Sequence, residues 1–147
     1  MAAMPYKLED ITSAWLTSVM QENRVLPPDT AVVSFKLEPI GAGVGMMSSM
    51  SRIYLDYSSS VDAPASLVIK FPAENETNRS VAQQYRLYEK ETRYYQELAS
   101  RTNACSPKIY STFLDEESEF HLLMEDVSDY RMGSQVDGAT ADECELC

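Results

Sequence analysis

Hydrophobic and polar residues alternate with a period of two over several stretches of this chain, and the alternation predicts strands. Val33, Phe35 and Leu37 oppose Ser34, Lys36 and Glu38 in the first stretch. Gly41, Gly43 and Gly45 interrupt the pattern, and after Ser48-Ser49 it resumes with Ser51, Ile53, Leu55 and Tyr57 against Arg52, Tyr54 and Asp56. The two stretches read as a hairpin with a glycine-rich tip, where the backbone is free to approach a ligand. A third strand runs from Ser66 to Phe71, with Leu67, Ile69 and Phe71 on one face, Val68 and Lys70 on the other, and Pro72 closing it. Ile109 to Leu114 and Phe120 to Met124 read as two more, joined by the turn Asp115-Glu116-Glu117-Ser118.

Helical spacing takes over elsewhere. Ile11, Trp15, Leu16, Val19 and Met20 fall on one face of a short helix that Thr12 or Ser13 can cap and Pro27-Pro28 follows. A longer helix is predicted from Asn78, as N-cap, to Ala99, with an apolar stripe of Val81, Gln84, Leu87, Tyr88, Glu91, Tyr94, Tyr95 and Leu98. Glu91 is the anomaly in that stripe, because a carboxylate on a covered face needs a cationic partner. Lys70 is the candidate. Glu89, grouped with Arg86 and Arg93 on the wet side, is the reserve.

Composition narrows the class. The 147 residues are 44% hydrophobic and 24% charged, which fits one globular domain and not a disordered chain. The net charge of −11 is uneven: residues 1–113 hold 12 acids and 11 bases, whereas residues 114–147 hold 11 acids and only Arg131. An acidic end repels nucleic acid and anionic membrane surfaces, so neither is expected as a partner. Cys105, Cys144 and Cys147 cannot all pair, and no apolar leader precedes the first helix, so a cytoplasmic location is expected. Cys144 and Cys147 have C-x-x-C spacing but lack the further ligands a metal site needs, and no metal is expected there. The lone His121 lies within a strand, which favours a structural role over a catalytic one.

A glycine hairpin, Val68-x-Lys70, a helical Glu91 and the run Leu122-Leu123-Met124-Glu125-Asp126, in this order, resemble the N-terminal lobe of a protein-kinase-like small-molecule phosphotransferase. The group it is most similar to comprises the aminoglycoside-phosphotransferase-like, choline-kinase-like and ecdysteroid-kinase-like enzymes. The resemblance implies an α+β fold: a five-stranded antiparallel sheet with a long helix beside it and an N-terminal helix. It divides the chain into an N-terminal helical segment (1–30), the lobe itself (31–127), and a hinge leading to a further lobe (128–147). It implies ATP as the bound cofactor. Gly41, Gly43 and Gly45, with Ser48 and Ser49, would cover its phosphates; Lys70, paired with Glu91, would contact the α- and β-phosphates. Val68 would pack on the adenine and Met124 would close the back of the pocket. The backbone of Glu125 and Val127 would meet the adenine edge.

The chain departs from that pattern in two ways. Its loop is G-x-G-x-G followed by Met46 and Met47, not the protein-kinase G-x-G-x-x-G-x-V. The His-Gly-Asp or His-Asn-Asp stretch that the group uses to orient the acceptor hydroxyl has no counterpart, since His121 is followed by Leu122-Leu123. The box Thr140-Ala141-Asp142-Glu143 opens a helix shortly before Cys147, so the chain reads as truncated on entering a second lobe. Magnesium is expected only with that lobe. Catalysis by these residues alone is therefore not expected. The alternatives are a stand-alone module that binds nucleotide or a partner, and an inactive product. A lone lobe would expose apolar surface for a complementary lobe or a second copy.

Overall fold

The computed structural model describes residues 3–41, 47–131, 133 and 136–145. Five strands form one antiparallel sheet in the order β1-β2-β3-β5-β4: β1 Val32–Ile40, β2 Ser48–Tyr57, β3 Ser66–Pro72, β4 Ile109–Leu114 and β5 Phe120–Glu125. β3 is central, and residues on both of its faces are buried: Leu67, Ile69 and Phe71 on one side, Val68 on the other. The sheet thus separates two apolar layers. The first layer joins Leu67, Ile69 and Phe71 to Ile53, Leu55, Leu123 and helix α1 (Ser13–Glu22), which contributes Trp15, Leu16, Val19 and Met20. The second joins Val68, Leu122 and Met124 to Phe120, Ala82 and Tyr88.

Helix α1 is the element the 3.6-residue spacing predicts. Thr12, not Ser13, is its cap: the Thr12 hydroxyl accepts the Trp15 N–H at 3.1 Å. Loss of such a cap typically costs about 1 kcal/mol. Thr12→Ala should therefore lower the unfolding free energy by about that amount, read from a urea denaturation curve. At the other end Asn23 Nδ2 donates to the carbonyls of Val19 and Tyr110, both at 2.8 Å, and so ties the helix to β4. Trp15 meets the His121 ring edge-on, with centroids 5.5 Å apart.

The hairpin strands depart from simple alternation at one point. Val33 is 58% exposed, whereas Val32 is buried, because the β1–β2 register slips between Val32 and Ser34. One residue of slip exchanges the faces. Beyond it Phe35 and Leu37 pack inward as the pattern requires.

The single long helix predicted from Asn78 to Ala99 is not one helix. It starts earlier: the side chain of Asn75 accepts the Asn78 N–H at 3.1 Å and caps α2, Glu76–Gln84. Arg86 then takes a left-handed conformation (φ 54°), and α3 spans Leu87–Arg93 before a π-helical turn over Tyr94–Leu98. A left-handed residue with a side chain is costly, roughly 1–2 kcal/mol, and nothing local such as glycine relieves it. Tertiary anchoring offsets that cost. The break lets Ala82 of α2 and Tyr88 of α3 both face the sheet, where Tyr88 stacks on Phe120 at 4.4 Å. The Tyr88 hydroxyl donates to the Met47 carbonyl at 2.7 Å and accepts the Ala73 N–H at 3.0 Å. The break also reassigns the stripe: Gln84 and Leu98 are exposed, and Ala82 and Thr92 are buried in their place.

The predicted capping box is present. Thr140 N–H donates to Glu143 Oε2 at 2.8 Å, and Glu143 N–H donates back to the Thr140 hydroxyl at 3.3 Å, opening α4, Ala141–Glu145. Among the described residues no helix is long and apolar enough to cross a membrane.

Candidate functional site

The sheet face that carries Val68, Lys70 and Met124 gathers the chain's charged and apolar candidates. Lys70 is on β3, one strand step beyond Ile69, and so emerges opposite the α1 layer. Glu91 comes from α3, which packs beside that face. The Lys70 ammonium donates to both carboxylate oxygens of Glu91, at 2.6 and 2.8 Å. Their side chains are 18% and 31% exposed, so the pair is covered by neither protein nor bulk water alone. An ammonium has three donors, and the two oxygens of Glu91 accept from it.

The alternative acid is engaged elsewhere. Glu89 pairs with Arg86 at 2.6 Å and Arg93 at 3.1 Å, with its own side chain 21% exposed. The Arg86 guanidinium holds its carboxyl below the usual range. Glu91 meets the sheet at Lys70, whereas Glu89 lines a depression with Arg93 and the turn that joins β4 to β5. Burial first, and then the negative charge of Glu91, pushes the Tyr95 phenol upward.

Val68 and Met124 are direct cross-strand partners, 5% and 7% exposed, and form an apolar floor with half-buried Ile40, Met50 and Ile109. Met50 is the cross-strand partner of Lys70, which sets the ammonium against that floor. Of the glycines in the hairpin tip, Gly41 has φ +72°, a conformation other residues adopt only under strain. Gly43 and Gly45 lie outside the described residues. Ser48 and Ser49 begin β2 with half-buried side chains, and the Ser49 hydroxyl reaches Glu74 at 3.4 Å. Glu125 ends β5 with its N–H donating to the Lys108 carbonyl at 2.8 Å and its carboxylate accepting the Lys108 N–H at 3.0 Å. Val127, 40% exposed, follows it beside Tyr130, Pro107 and Cys105 in a shallow apolar depression.

One pair on this face escaped the sequence pattern. Arg52 Nε donates to Asp126 Oδ2 at 2.6 Å, and the Ser66 hydroxyl donates to the same oxygen at 2.7 Å. Burial alone would raise the Asp126 carboxyl, but hydrogen bonds from Ser66, Arg52 and Ser128 outweigh it and leave it lowered. Period-two alternation placed Arg52 on the outward face but could not find a partner 74 positions away.

His121 belongs to the other face and is wholly buried. Its Nδ1–H donates to the Pro5 carbonyl at 3.1 Å, and Nε2 faces the Ser111 hydroxyl at 2.9 Å, which fixes the neutral tautomer. A ring sealed at both nitrogens is a structural element, in keeping with the strand placement.

A five-stranded antiparallel sheet whose central strand carries a lysine clasped by a glutamate from the adjoining helix defines the amino-terminal lobe of a kinase-like phosphotransferase. The model of the ecdysteroid kinase-like family matches residues 42–147, and the chain belongs to that family. No curated protein matches the sequence.

Proposed function

We propose that this chain is the ATP-holding part of a small-molecule kinase, which transfers phosphate to an alcohol. The observation that carries the reading is the Lys70–Glu91 clasp beside the Val68–Met124 floor. The donor set suits a nucleotide: an apolar strip for a base, and one cation for phosphate oxygens. ATP, when bound, supplies the transferable phosphoryl group. Glu91 fixes the Lys70 ammonium through two contacts, so that its charge is oriented before a ligand arrives and less entropy is lost on binding. Gly41, with Gly43, Gly45, Ser48 and Ser49, would offer backbone N–H groups and hydroxyls over the phosphates. The backbone of Glu125 and Val127 would meet the base edge.

Phosphoryl transfer rests mainly on positioning and on metal-assisted charge stabilisation. The 147 residues contain no His-Gly-Asp or His-Asn-Asp stretch to orient an acceptor hydroxyl, and His121 is sealed in the core. The groups for acceptor and magnesium would lie in a separate lobe. Titration calorimetry on the purified chain should show saturable ATP binding with a Kd on the order of micromolar to millimolar, and phosphate release should not rise above the buffer rate. Absence of binding at millimolar ATP would refute the nucleotide reading. Turnover that persists through repeated purification would refute the need for another lobe.

A further inference from the structure

The Arg52–Asp126 pair is unused by the phosphate reading, yet it stands on the same sheet face. Arg52 is the cross-strand partner of Val68, as Met50 is of Lys70. Arg52 therefore lies one two-residue step, about 7 Å, along β2 from the row that holds the ammonium. Asp126 comes from the segment that follows β5 and is 7% exposed; Arg52 is 20% exposed. Three donors occupy the Asp126 carboxylate: Arg52 Nε, the Ser66 hydroxyl, and the Ser128 N–H at 3.1 Å. The acid is saturated. The guanidinium is held more loosely on its other side, where it meets the Tyr54 side chain, with its carbon 6.0 Å from the ring centroid, and where its Nη1 reaches Glu38 only at 4.0 Å.

A mere tie between β2 and the chain beyond β5 gains little from charge, because covered ion pairs are often matched by apolar contacts of the same volume. What the pair does achieve is orientation. A guanidinium bonded through Nε to a saturated carboxylate keeps a set plane at the end of the Val68–Met124 floor, with its charge opposite in position to Lys70 across that floor. Planar, weakly hydrated cations of this kind stack on aromatic rings.

We propose that Arg52, oriented by Asp126, is the base-contacting residue of the nucleotide site: its guanidinium stacks on the heterocycle while Lys70 takes the phosphates. This rests on the nucleotide reading above and divides the ligand between two cations. Asp126 is a positioning residue in this arrangement, since it acts through Arg52.

The test compares ATP with inorganic tripolyphosphate, which has the phosphates and no base, by calorimetry on the full chain. Arg52→Ala should weaken ATP about tenfold and leave tripolyphosphate within about twofold of the parent. Arg52→Lys keeps the charge but not the plane, and should lose as much ATP affinity as Arg52→Ala. Asp126→Asn, which keeps the shape and the Ser66 contact, should give a smaller loss confined to ATP. Far-UV circular dichroism and the melting midpoint verify that each variant is folded. Equal losses for both ligands in Arg52→Ala, or full ATP affinity in Arg52→Lys, would overturn the base contact while leaving the nucleotide reading in place. A parent chain that binds neither ligand would sink both.

Discussion

Lys70→Ala should weaken ATP binding about 10- to 100-fold while leaving the chain folded. The first part follows from the strength of charge-assisted hydrogen bonds, roughly 1.5–3 kcal/mol each, and every 1.4 kcal/mol is about tenfold in Kd. The second part follows from exposure. Lys70 and Glu91 are 18% and 31% exposed, so their mutual attraction is screened by water. Pairs of that kind contribute about 0–1 kcal/mol to folding. Glu91, left alone, can hydrate at its open side and need not be neutralised. Calorimetry with ATP, alongside a melting curve, reads both quantities. Equal affinity in parent and variant would remove Lys70 from the phosphates. A collapse of the melting transition would show that the clasp supports the fold and not only the ligand.

His121 should make the fold acid-sensitive. Burial pushes its imidazole down to about 4 from the ordinary 6.5, and the hydrogen bond to the Pro5 carbonyl only partly opposes that. The rings around it, Trp15, Phe71 and Phe113, offer no countercharge to an imidazolium. The folded form therefore binds a proton less readily than the unfolded chain. Stability from this group is fully present above pH 6.5 and is lost as pH falls from 6.5 toward 4. The loss should reach on the order of 3 kcal/mol across that window. His121→Gln keeps a donor for Pro5 and an acceptor for Ser111 without a titration of its own, so its stability should fall less by that amount between pH 7 and pH 4. Nuclear magnetic resonance gives an independent check. His121 is the only histidine in the chain, so one imidazole resonance reports it. A midpoint near 6.5 in the folded protein would contradict the burial argument.

Much of this architecture was legible in the residues. Strands β3 to β5 lie within a residue of where alternation put them, because a covered face demands apolar residues at every second position. The α1 face was legible for the same reason at a different period. The Lys70–Glu91 contact could also be anticipated. A carboxylate amid an apolar stripe is an unbalanced charge, and Lys70, on the face of β3 opposite Leu67, Ile69 and Phe71, offered a partner. Thr140 and Glu143 announced their helix through side-chain chemistry that needs only four consecutive residues.

The misses have one origin. The break at Arg86 has no glycine or proline to mark it; it exists because Tyr88 reaches Met47, Ala73 and Phe120 from elements far away in the chain. The slip at Val32–Ser34 is set by pairing with β2, and the Arg52–Asp126 link joins positions 74 apart. Sequence alone determined which segments become strands, where α1 lies and which of its residues face the core, and which acid lacked a partner, since these depend on neighbours within a few residues. Only the tertiary structure decided where the helix breaks, how the hairpin is registered and which distant charges meet. Those outcomes balance a local strain of one or two kcal/mol against contacts that come into being only when the sheet and its helices have closed on one another.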